Sequence, residues 1–150
     1  MRLERLYTTT FRYPQSWAIA FGGPVGVGEG QHFFMAEGQC EGRVAGRLRG
    51  ANHPRRRADG TFLPDFQGVI ETADGAVVFF DYRGYGRAHP PGRRQIVGTA
   101  THLCEHEKYR WLNDSVAVGT GEVRSLPDGA MELVMEWAEL VWEPQGQGGG

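Results

Sequence analysis

The sequence predicts an all-β fold: one closed antiparallel barrel of about eight to ten strands, with a two-sheet sandwich as the alternative. Three observations carry that reading. Short runs with a period of two recur along the chain, apolar or small residues on one side and polar ones on the other. Gly- and Pro-containing turns separate them, and the 23 glycines are spread along the chain rather than gathered in a linker. No stretch carries the 3.6-residue period of a long helix. Consecutive hairpins with one apolar face close most readily as an up-and-down barrel, which leaves no exposed edge.

Residues 3–13 are rich in Tyr, Thr and Phe, which suit a pleated surface, and Pro14 is expected to stop that strand. Residues 17–21 form a short apolar run, read as a second strand or a turn of helix. The segment 22–30, GGPVGVGEG, has the glycines of a phosphate loop but no GK[ST] and no following helix pattern, so it reads as a flexible loop at the barrel mouth. Residues 31–39 and 40–50 read as two strands. In the second, Val44, Gly46 and Leu48 face one way, and Arg43, Ala45, Arg47 and Arg49 the other. Asp59-Gly60 marks a turn. Between residues 66 and 85 lies the clearest unit, two alternating runs joined by Ala73-Asp74-Gly75, where glycine supplies the positive φ of a hairpin turn. Pro90 and Pro91 stiffen a loop over 87–92, and a strand resumes over 94–105. Pro127-Asp128-Gly129 makes the last hairpin turn, and residues 130–142 close the chain with Met131, Leu133, Met135 and Trp137 on one face.

The stretch 109–123, YRWLNDSVAVGTGEV, organises the rest. Tyr109, Trp111 and Asn113 precede a strand whose alternate positions are Ser115, Ala117, Gly119 and Gly121. A strand almost bare on one face needs something large against it, and Trp137, Phe79 or Phe80 is the expected occupant. Helix is confined to a turn or two near Trp17 or Trp111.

At 150 residues the chain suits one domain, placed over 1–143, with a disordered Gly-rich tail over 144–150. A formal net charge of -2 gives no electrostatic case for nucleic acid. The basic run Arg43, Arg47, Arg49, Arg55, Arg56 and Arg57 reads as a solvated face or loop. No run reaches the roughly 20 apolar residues of a membrane span, and the first residues lack the apolar core of a signal peptide. A cytoplasmic protein with two reduced cysteines, Cys40 and Cys104, is the expectation.

Residues 42–50 (GRVAGRLRG), the Asp59-Gly60 turn, residues 69–84 (VIETADGAVVFFDYRG) and above all residues 109–121 (YRWLNDSVAVGTG) resemble the family called domain of unknown function 3237. They run in that family's order over most of the chain, from Tyr7 to Trp142. The resemblance implies a closed barrel of about lipocalin or allene-oxide-cyclase size, often assembled as an oligomer, and brings no agreed catalytic residues. Members commonly carry an acidic residue after the GRLRG-like strand, where this chain reads Ala51-Asn52-His53-Pro54.

A small barrel of this kind is expected to hold one ligand in an apolar interior with a few placed polar groups. For catalysis the candidates are Asp81, Arg83, Tyr82 and His53. Asp81 and Arg83 share one face of a strand, as base and anion-orienting cation, or pair on the outer wall. Tyr82 donates to an oxyanion, or fills the core. His53 titrates near neutrality in a loop. Ligand-binding candidates are Trp111, Asn113, Tyr109, Phe80 and Trp137. The Asn113 amide either fixes a carbonyl or bonds local backbone. His102, Cys104 and His106 would share one face of an unbroken strand, but three ligands on one strand make an awkward tetrahedron, so no metal is expected. No cofactor motif is present. Two functions follow: a cofactor-free isomerase or cyclase acting on an apolar carbonyl compound, or a non-catalytic barrel that carries a hydrophobic small molecule.

Overall fold

The structure, a computed structural model, describes residues 1–21 and 29–146. Among them eight long strands and two short ones form one antiparallel sheet. The long ones are β1 (Arg2–Ala20), β2 (Gly30–Gly42), β3 (Gly46–Asn52), β6 (Asp65–Thr72), β7 (Val77–Arg87), β8 (Arg94–Leu103), β9 (Ala117–Ser125) and β10 (Met131–Val141). β1 pairs with β2 on one side and with β10 on the other, which closes the sheet into a barrel and excludes the sandwich. The short strands β4 (Arg55–Arg56) and β5 (Phe62–Leu63) bridge β2 to β7 and extend the wall at one end. The predicted turns fall where glycine was read for them, with φ of +87° at Gly60, +86° at Gly75 and +84° at Gly129.

Two elements differ from expectation. Pro14 does not end a strand. β1 continues to Ala20, and a register shift against β2 between Arg12 and Gln15 absorbs the residue that has no N–H to give. Trp17 therefore lies in a strand opposite Phe33, while the helical turns form around Trp111, as a 3-10 helix over Glu107–Asp114. The strand through Arg94 also stops early, at Leu103. The loop expected over 22–30 lies mostly outside the described residues, as does the end of the expected tail, 147–150. No helix among the described residues is long and apolar enough to cross a membrane.

The barrel is filled, not hollow. Tyr7, Phe11, Phe66, Phe80, Tyr82 and Trp137 are each no more than 1% exposed and touch in a continuous aromatic stack. The bare face of β9 makes room for it: a Cβ on Gly119 would collide with the Trp137 ring, and one on Gly121 with Met135. Tyr109 and Leu112 of the 3-10 helix are buried beside the end of β8, at the end of the barrel where the chain begins. The space that remains lies at the opposite end, ringed by β4, β5 and the Pro127–Gly129 turn.

Candidate functional site

A cavity of about 420 Å³ occupies that mouth, within the size range of small-molecule sites. Its walls come from the inward-facing positions at the ends of the strands. His32 and Phe34 are in phase with Ala36 and Cys40 on β2, Tyr13 with Phe11 on β1, Asn52 with Leu48 on β3, and Arg94 with Ile96 on β8. Arg56 and Phe62 come from the two short strands. Two larger hollows, of about 510 and 480 Å³, are shallow grooves on the outer wall beside Gly98 and bring no comparable set of polar groups together.

Aromatic rings shape the mouth. The His32 imidazole lies within 3° of parallel to Phe34, with centroids 5.8 Å apart, and Phe62 leans on it at 5.3 Å. Tyr13 packs on Phe34 at 5.0 Å. The guanidinium groups of Arg94 and Arg56 stand over the Phe62 ring, 5.7 and 5.9 Å from its centroid. The backbone N–H of His32 donates to the Pro54 carbonyl at 2.9 Å, and Asn52 Oδ1 accepts the Asp65 N–H at 2.9 Å, so the rim is tied to the strands beneath it.

These surroundings set protonation. Partial burial lowers the His32 pKa below 6.5, and the positive charges of Arg56 and Arg94 lower it further. At neutral pH the ring is therefore an uncharged base. Burial raises the Tyr13 phenol, against the pull of Arg94, so it stays protonated and can donate. Beneath it Tyr82 is also raised, by burial and then by Tyr13, and its buried hydroxyl has no hydrogen-bond partner among the described residues.

The candidates read from sequence are scattered. Asp81 and Arg83 lie on the outer face of β7, where Arg83 pairs with Asp65 at 3.4 Å. His53 is exposed and donates from Nε2 to Gln31 Oε1 at 2.9 Å. Phe80 and Trp137 belong to the packed core. Trp111, Asn113 and Tyr109 sit at the closed end. There Asn113 clasps the backbone of Cys104 through two hydrogen bonds, of 2.7 and 2.9 Å, Tyr109 donates to Asp74, and Trp111 lies under Arg43. Tyr82 lies beneath the mouth, and His53, between the lining residues Asn52 and Pro54, turns its side chain toward Gln31 and Phe33 on the outer wall. With the strand ending at Leu103, His102 shares a buried hydrogen bond with the Tyr7 hydroxyl, Cys104 is buried beyond the strand, and exposed His106 caps the 3-10 helix.

Sequence reasoning passed over His32, Tyr13, Arg56 and Arg94. The signal for Arg94 was its phase with Ile96, Gly98 and Ala100; His32 shares the phase of Phe34 and Ala36 in the same way. Arg43, Arg47, Arg49 and Arg57 of the basic run do face outward in ion pairs, but Arg56 is half-buried at the mouth.

Known structures share this architecture. A β-barrel-like protein from Acinetobacter baumannii AYE is similar at 22% identity and a TM-score of 0.76, over 93% of this chain and 96% of its own. A protein of unknown function from Clostridium acetobutylicum ATCC 824 is similar at 18% identity and a TM-score of 0.76, over 94% and 100%. An enzyme from Penicillium herquei is similar at 21% identity and a TM-score of 0.66, over 91% and 93%. No curated protein matches the sequence. The family described as protein of unknown function (DUF3237) matches residues 2–136, and to that family the chain belongs.

Proposed function

We propose that the protein is a small-molecule enzyme that moves a proton on a carbonyl compound held in the barrel mouth, as an isomerase or cyclase. The observation that carries this reading is the meeting of an uncharged imidazole, a protonated phenol and two guanidinium groups in one cavity. His32 takes a proton from the carbon beside the carbonyl. The C–H electron pair forms a new carbon–carbon double bond, and the carbonyl pair moves to oxygen, where Arg94 and Arg56 face the charge and Tyr13 donates. Return of the proton from His32 to another carbon gives an isomer. Attack of the enolate carbon on a second carbonyl of the same molecule forms a ring, and the imidazolium proton then goes to the new alkoxide. Either course balances without an oxidant or co-reactant. The filled interior supports this reading over a carrier, because an apolar cargo has no room beneath the mouth. That a barrel of similar shape is described as an enzyme adds support at the level of the fold alone.

The test is solvent deuterium exchange, followed by NMR, across a panel of small aryl ketones and diketones. The protein is expected to speed exchange beside the carbonyl, and His32→Gln to slow it by about 100-fold or more while binding persists. Compounds that bind without any catalysed exchange would identify a carrier instead.

A further inference from the structure

We infer that the ligand of the mouth cavity is a flat aromatic oxyanion, a ring system bearing a carboxylate or a comparably delocalised enolate or phenolate. The inference rests on the mouth being the binding site, and it replaces the expectation of an apolar ligand. Charge is the first argument. The described lining residues include Arg56, Arg87, Arg94 and His32 and no carboxylate, although the whole chain carries a net charge of -2. Such a local excess of cation, in a recess walled by side chains of low dielectric, favours an anion. Asn52 sharpens the point. It is a neutral amide in the cavity lining, and its Oδ1 is already engaged by the Asp65 N–H. The cavity thus keeps its positive charge.

Shape is the second argument. Phe34 and His32 present parallel rings in the wall of the mouth, and Phe62 leans on His32, so the three rings form one aromatic cluster beside the cavity. A planar ligand can lie on that surface with offset stacking. Arg94 and Arg56 both lie over the Phe62 ring, which gathers two guanidinium groups beside the same recess. Guanidinium forks suit the two oxygens of a carboxylate or the paired oxygens of a β-dicarbonyl enolate. Phe62 carries both guanidinium groups and leans on His32, so their charge lies close to the imidazole as well as to the cavity.

Isothermal titration with matched probes tests this: a naphthalene carboxylate, an acidic naphthol, the corresponding carboxamide, the corresponding methylammonium, and cyclohexane carboxylate. The carboxylate is expected to bind at least about tenfold tighter than the carboxamide and the saturated acid, with the ammonium weakest and affinity falling as salt rises. The naphthol arm separates the two oxyanion sources: tightening as it ionises favours a phenolate or enolate, and its absence with strong carboxylate binding favours an acid. Arg94→Gln should lose most of the preference for anion over carboxamide, and Arg94→Lys should retain part of it. Cooperative thermal unfolding confirms that each variant is folded. Equal binding of carboxamide and carboxylate, a preference for the ammonium, no binding of any probe, or an unchanged preference in Arg94→Gln would overturn the inference. Anion binding without proton exchange would sink the catalytic reading and leave this one standing. Exchange on neutral ketones with no anion preference would do the reverse.

Discussion

His32 and His102 both point into the barrel, and their depth gives them different work. His32 sits at the mouth with two cations near it. His102 lies in the core, sharing a hydrogen bond with Tyr7 while its Nδ1 finds no partner among the described residues. Burial holds the His102 pKa at about 4, below the ordinary 6.5. Between those values the unfolded chain takes up a proton that the folded chain refuses. The contribution to stability is therefore complete above about pH 6.5, drains as pH falls, and is exhausted near pH 4. Over the whole window it amounts to about 3 kcal/mol, with about 2 kcal/mol gone by about pH 5. Carboxylates such as Asp74, held low by Thr72 and Lys108, surrender their share only in the carboxylate range below that. Urea unfolding at about pH 7 and about pH 5 should thus show a clear loss in the natural protein and a smaller one in His102→Gln, which cannot titrate. Equal losses would assign the pH dependence elsewhere. The phase of His102 was legible in the sequence. Its burial was not, because that depends on Tyr7 of β1 and Phe80 of β7 packing against the ring once the barrel has closed.

Among the elements, β9 shows how far alternation can be read. Its small-residue face predicted a large neighbour, and Trp137 is that neighbour. Trp137 has little freedom to yield, since its Nε1–H donates to Thr9 Oγ1 at 3.2 Å and its ring packs on Phe80 and Tyr82, each at 5.5 Å. Gly119→Ala should therefore cost about 1–3 kcal/mol through overpacking, seen as a melting temperature lower by several degrees. Adding Trp137→Phe should recover part of the loss, and a double-mutant cycle with no coupling would show that the methyl is accommodated some other way. β1 marks the limit of the same reasoning. Pro14 has no N–H for a ladder, which read alone ends the strand; a bulge against β2 lets the chain keep its direction. That compensation belongs to the partner strand and cannot be seen in β1 by itself.

At the scale of the molecule, turns and alternation made the barrel legible, whereas the site was not, because a mouth is assembled from strand ends far apart in sequence. Tyr13, His32, Asn52 and Arg94 meet only once β1 has paired with both β2 and β10. Asp81 and Arg83 drew notice by being adjacent on one strand, yet the wall turns that face outward. Closure itself can be measured along β1. Tyr7 to Arg12 has strand partners on both sides, in β2 and β10, while residues 15–20 pair with β2 alone. Amide hydrogen exchange should therefore change character at Pro14. Amides of Thr8 to Phe11 are expected to exchange only with global unfolding, since either neighbour protects them and opening the barrel is the cheapest way to free them. In residues 15–20, the amides that face away from β2 should exchange by local fluctuation, orders of magnitude faster. Uniform protection across Pro14 would mean that the outer edge of this arm is covered in solution. Fast exchange throughout β1 would mean that the barrel opens at the β1–β10 seam, and the mouth, which depends on that seam, would open with it.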